Sequence, residues 1–142
     1  MAKMIFLNLP VTDLARATAF YQAIGAVKND QFCDHTASCM VFSETIHVML
    51  LTHDKFRQFT PKPIADAKAS NQTLFCISAD SRDEVDTVVT KAGVAGGNVD
   101  PSPIDDYGWM YGRSFEDPDG HMWGVNWLDL AAMEAQTAKA DA

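Results

Sequence analysis

One order of elements is written twice along this chain, and that repetition constrains the fold more than any single motif. An apolar run over 4–9 ends at Pro10, as a strand should. Thr12 or Asp13 then caps a helix whose apolar face is Leu14, Ala17, Tyr21 and Ile24, and Gly25 stops it. Strand-like runs follow at 27–33, 37–43 and 46–51. The order restarts at 72–79, where another strand leads to Ser81-x-x-Glu84, a capping box. Val85, Val88, Val89 and Ala92 form the second helical face, Gly93 ends it, and strands follow near 95–99, 109–116 and 121–128. The chain therefore reads as β-α-β-β-β twice, offset by about 70 residues. Two copies at so long a period indicate a duplicated half-domain rather than a solenoid, and an α+β fold.

Length and composition agree with one domain over 1–128, made of modules at 1–52 and 72–128. The 142 residues are 47% hydrophobic, enough for a single core. Residues 53–71, with Pro61 and Pro63, read as a linker or lid. The tail over 129–142 is alanine-rich and has good helix propensity. The net charge of −8 repels phosphate backbones and anionic lipids, so neither nucleic acid nor membrane is an expected partner. No apolar run approaches the roughly 20 residues that span a bilayer, and MAKMIFLNLP reads as a strand, not a signal peptide. Cys33, Cys39 and Cys76 are odd in number and lack a C-x-x-C spacing. That predicts free thiols and a cytoplasmic location.

The segment DPDGHMWGVNW, 117–127, fixes which side chains share a face. A three-residue loop Pro118-Asp119-Gly120, with Gly120 left-handed, pairs Asp117 with His121. Ser114 then lies beside Gly124 and Gly112 beside Asn126, with Met110 and Met122 on the same side. Alternation puts Asn8 with Phe6 on the first strand, and Cys76 and Ser78 with Leu74 on the fifth. On the fourth strand Ile46, Val48 and Leu50 face a helix, leaving His47 and Met49 on the other side. The candidate cavity is thus Phe6, Asn8, His47, Met49, Leu74, Cys76, Gly112, Ser114, Met122, Gly124 and Asn126. A mostly apolar set with a few polar groups suits a small organic ligand, and the same residues would also serve as ordinary core. Trp109, Tyr111, Arg113, Trp123 and Trp127 fall on the opposite face, where Arg113 is expected to stack on Trp123 or Trp127. A bulge would reverse that assignment and bring Tyr111 and Arg113 to the ligand. Among the four histidines, His35 and His53 lie in or beside loops and His121 at a strand end. His47 is the best candidate for a general base, although no carboxylate in the sequence must orient it.

Three motifs in order, LPVTDLARATAFYQAIG, SADSRDEVDTVVTKAG and SFEDPDGHMWGVNW, resemble those of the vicinal oxygen chelate superfamily. Glyoxalase I, extradiol dioxygenases, fosfomycin-resistance enzymes and bleomycin-resistance proteins belong to it. The resemblance covers nearly the whole chain. It implies two modules forming a curved mixed sheet around a cavity, commonly in a homodimer, and a divalent metal held by His, Glu or Gln. Carried over residue by residue, the ligand positions fall on Phe6, Met49, Leu74 and Gly124. None offers a hard donor. Metal and cofactor are therefore expected to be absent, and binding of a small molecule without chemistry is the first expectation. The alternative is a metal-dependent lyase or dioxygenase with ligands displaced to Asn8, His47 and Glu116. A third is a metal-free enzyme using His47 as base. A glyoxalase I reaction fits least, because its enediolate needs a metal.

Overall fold

The computed structural model describes residues 2–141, with side chains through residue 135; Met1 and Ala142, the ends of the expected domain and tail, lie outside the described residues. Each module closes its own mixed sheet. In the first, β1 (Ile5–Val11) runs parallel to β4 (Ile46–Thr52), and β4 pairs antiparallel with β3 (Ala37–Val41). The short β2 (Val27–Lys28) completes the order β1-β4-β3-β2. The second module repeats this with β5 (Phe75–Ala79) parallel to β9 (Met122–Leu128), and β9 antiparallel to β8 (Met110–Glu116). Here β6 (Asn98–Val99) and β7 (Asp105–Asp106) both pair with β8.

Helix α1 (Leu14–Ala23) starts where Asp13 accepts the Arg16 amide, and α3 (Arg82–Val94) where Ser81 accepts that of Glu84. Each cap satisfies an amide that the first turn leaves without a partner. Between them α2 (His53–Arg57) is a single turn and more capped by Thr52. The linker expected at 53–71 thus begins as a helix. The tail forms α4 (Leu130–Asp141). The strand expected over 27–33 is regular only at Val27–Lys28 and keeps one further bond, Asn29 N to Cys39 O, because the Asn29 side chain accepts the Gln31 amide and starts a 3-10 turn over Asp30–Phe32. The bonds that would have continued the strand are spent locally.

Both modules contribute to one core. Leu9, Val11, Met40, Val48 and Leu50 from the first sheet meet Phe115, Trp123 and Val125 from the second, with Phe20 and Tyr21 of α1 and Val85 and Val89 of α3 among them. Phe20 packs on Phe115 with ring centroids 5.8 Å apart, so α1 serves both sheets. One buried polar chain crosses this core. Trp123 Nε1 donates to Tyr21 OH at 3.0 Å, and Tyr21 OH donates to Asp117 Oδ2 at 2.6 Å. Burial, and then the neighbouring Asp117 charge, push the Tyr21 phenol well above its ordinary range. Burial also holds the Asp117 carboxyl above the usual carboxylate range. The 117–121 turn docks on the first module as well. Thr12 donates its amide and hydroxyl to Asp119 Oδ1, and His121 Nε2 meets Pro10 O at 2.8 Å. A carbonyl only accepts, so that nitrogen carries the proton.

Candidate ligand-binding site

The hairpin register follows the turn. Asp117 N donates to His121 O, Gly120 has φ +93, Ser114 pairs with Gly124, and Gly112 pairs with Asn126. Those pairings place seven of the candidate residues around one hollow of about 210 Å³: Leu74, Cys76, Gly112, Ser114, Met122, Gly124 and Asn126. Ser102, Pro103 and Asp105, from the strand-poor segment before β8, add a wall that the alternation pattern did not reveal. Gly124 forms part of the floor. A Cβ built there would meet Cys76 Sγ at 3.5 Å, an ordinary contact, so the missing side chain leaves usable room. Gly112 is the opposite case, because a Cβ there would come within van der Waals overlap of Asn126 Oδ1. The glycine leaves the space that Asn126 Oδ1 occupies, and Nδ2 of the same amide donates to Cys76 Sγ at 2.7 Å. Burial raises the Cys76 thiol, and the Asn126 hydrogen bond works against it.

The other four candidates lie on the first sheet and do not line this hollow. Phe6 and Asn8 border a separate, open depression of about 590 Å³ with Phe56, Phe59, Thr60, Thr73 and Phe75. Phe6 is half exposed and stacks on the His47 ring, centroids 4.7 Å apart. His47 itself is buried and its Nδ1 has no hydrogen-bond partner. Met49 stands across β1 from Asn8 and across β3 from Cys39. The two depressions adjoin through a third of about 380 Å³, which takes in Asn8, Phe75 and Met122. Phe56 and Phe59, the aromatic walls, lie in the segment read as a linker. Their i, i+3 spacing behind the Thr52 cap was the available signal.

Tyr111 and Arg113 face α3. Tyr111 OH donates to Asp86 Oδ1 at 2.6 Å, and Arg113 bonds Asp86 at 2.9 Å and Asp100 at 2.6 Å. The expected stacking of Arg113 on Trp123 or Trp127 does not occur. Two carboxylates claim its planar fork, and Arg82 of α3 lies over Tyr111 and Trp127 instead, at 5.0 and 5.3 Å. Arg82 also holds Asp106 with both terminal guanidinium nitrogens and keeps that carboxyl down at about 2.

The donor set around these hollows does not fit a divalent metal. Phe6, Met49, Leu74 and Gly124 bring no oxygen or nitrogen side chain. Among the described residues no three of His, Cys, Asp and Glu gather into a group that would hold an ion. The displaced set fares no better. Asn8 turns its Nδ2 to Phe6 O, Glu116 accepts from Asn98 at 2.9 Å, and none of the three hollows above takes in two of Asn8, His47 and Glu116.

Residues 3–125 match the Glyoxalase/Bleomycin resistance protein/Dioxygenase superfamily. The chain belongs to that superfamily. Solved structures agree on the fold. A hypothetical protein from S. aureus is 27% identical with a TM-score of 0.74, covering 89% of this chain and 95% of its own. A glyoxalase/bleomycin resistance protein/dioxygenase family enzyme from Burkholderia phytofirmans PsJN is 19% identical, with a TM-score of 0.71 over 89% and 99% of the two chains. The fosfomycin resistance protein FosX from Listeria monocytogenes is 17% identical, with a TM-score of 0.64 over 89% and 91%. No curated protein matches the sequence. Gly124 stands at one of the four positions where the resemblance implies a metal ligand. No helix among the described residues is long and apolar enough to cross a membrane.

Proposed function

We propose that the protein binds a small, largely apolar organic molecule in the hollow floored by Gly124, without the superfamily's metal and without a cofactor. The observation that carries this reading is the free space at Gly124, a position where the resemblance implies a metal ligand. Gly124 leaves room above Cys76, and Leu74, Met122 and Pro103 surround it with apolar surface. Placing a bare divalent charge against Leu74 and Met122 would cost several kcal/mol of desolvation, and Asp105 is a single carboxylate where a held ion needs about three protein ligands. Chemistry finds little support. His47 is the best-placed base, but no hydrogen bond orients its ring, and a base generally needs a third group to fix it.

The same reading includes a homodimer. Among the described residues the outer edges of β1 and β5 have no strand partner, and Met4, Ile5, Phe6 and Leu74 expose apolar side chains beside them. A second copy is the common remedy for such edges. Three free cysteines and the net charge of −8 suit a reducing, cytoplasmic setting with no nucleic-acid or membrane partner.

The test is elemental analysis of protein purified without added metal or chelator, with thermal-shift titration against uncharged aliphatic and aromatic fragments. The expected result is no stoichiometric divalent ion and fragment binding that Gly124→Phe abolishes while the hairpin still forms. One zinc, nickel, manganese or iron per chain, lost in His47→Ala, would overturn the reading. So would fragment binding that survives Gly124→Phe.

A further inference from the structure

The two cysteines of the first module are brought together by the segment that replaces the expected long second strand. Asn29 N donates to Cys39 O at 2.9 Å, which fixes the start of the segment against β3. The 3-10 turn over Asp30–Phe32 then delivers Cys33 back to the same strand. Cys33 Sγ donates to Asn29 O at 3.0 Å and accepts the Cys39 amide at 3.3 Å. A thiol thus stands where a backbone carbonyl would complete the ladder. The Cys39 thiol is three bonds from that amide nitrogen. The pair differs in access, since Cys33 is partly exposed whereas Cys39 is 2% exposed. Burial, and then the nearness of Cys33, raise the Cys39 thiol. Cys76 lies on the other sheet, in the Gly124 hollow.

We propose that Cys33 and Cys39 are an oxidation site, in which a peroxide converts the two thiols into an intramolecular disulfide. Cys33, reached by solvent, is the attacking thiolate. Its sulfur attacks one oxygen of hydrogen peroxide, the O–O bond breaks, hydroxide leaves and takes up the proton the thiol gave, and Cys33 becomes a sulfenic acid. The Cys39 thiol then attacks that sulfur, the S–S bond forms, and the hydroxyl leaves as water with the Cys39 proton. Two thiols lose two electrons and two protons, and one peroxide becomes two waters. The bond would tie the 29–37 segment covalently to β3, beside the face that carries Met49 and His47. A thiol reductant restores the open form.

Reduced wild-type protein, freed of reductant, is treated with dilute hydrogen peroxide and then denatured and alkylated. The expected product has lost two hydrogens, keeps one alkylatable thiol of three, and yields a Cys33–Cys39 linked peptide. Cys76→Ser should still form the link, and Cys33→Ser should not. Oxidation confined to Cys76 would overturn the proposal, as would a disulfide between chains. A Cys33 sulfenic acid that persists long enough for dimedone to trap it while Cys39 stays alkylatable would overturn it too. The deciding measurement is made on the wild-type chain, so a variant that fails to fold does not rescue the idea.

Discussion

Tyr21→Phe should destabilise the protein by about 3 kcal/mol, because the phenol is the single link between a buried indole and a buried carboxyl. Its oxygen accepts Trp123 Nε1 at 3.0 Å and donates to Asp117 Oδ2 at 2.6 Å. The substitution keeps the ring, and with it the edge contacts to Phe20, Phe42 and Trp123. What is lost is one hydrogen bond to a carboxyl, about 1.5–3 kcal/mol, and one buried N–H left unpaired, about 1–3 kcal/mol. The two losses share one oxygen and are not additive, so about 3 kcal/mol is the expectation rather than their sum. For a chain of this size that lowers Tm by about 10 °C. The cost should also depend on pH. Burial is what raises Asp117, and the Tyr21 hydrogen bond opposes it, so removing the bond raises the carboxyl further. A folded-state value above the unfolded one gives stability that is present in acid and lost as pH rises through the folded value. The variant should therefore fall further behind at neutral pH than near pH 4. Urea and thermal unfolding at both pH values measure this, with Tyr111→Phe as the control, since its partner Asp86 is half exposed and that change should cost under about 1 kcal/mol. A Tyr21→Phe cost below about 1 kcal/mol, or one equal at both pH values, would refute the reasoning.

The two cavity glycines should respond oppositely to alanine: Gly124→Ala meets only ordinary contact and should change stability by under about 0.5 kcal/mol, whereas Gly112→Ala displaces the Asn126 amide and should cost about 1–3 kcal/mol, both read by urea unfolding. Alkylation of Cys76 by iodoacetamide should lag a free thiol near neutral pH and rise only above the usual thiol range, and Asn126→Ala should slow it further by removing the hydrogen bond that favours the thiolate; a rate matching a free cysteine across the range would contradict this. The Asp106–Arg82 pair should open in acid: Arg82 holds its carboxyl at about 2, below the usual carboxylate range, so the tether holds above about pH 4 and is lost as pH falls towards 2, with lower protection factors for the 105–108 amides as the readout.

The doubled pattern, the capped helices and the 117–121 turn were legible in the sequence because each depends on neighbours. Asp13 and Ser81 reach amides three residues on, and Gly120 supplies the positive φ that the turn requires. Alternation then carries the register outward, so Ser114 beside Gly124 follows from the turn alone. Contacts set by distance along the chain were not legible. Nothing local says that Asp86 and Asp100, 27 and 13 residues away, would claim Arg113, or that Arg82 would take the aromatic faces instead. Nor does alternation say how two sheets sit against each other. It assigns Phe6 and Gly124 to like faces of their own strands, yet the strands belong to separate sheets, and their hollows adjoin only through the region of Phe75 and Met122. Periodicity is a property of one strand, whereas a cavity is bounded by whatever the global packing brings to its rim.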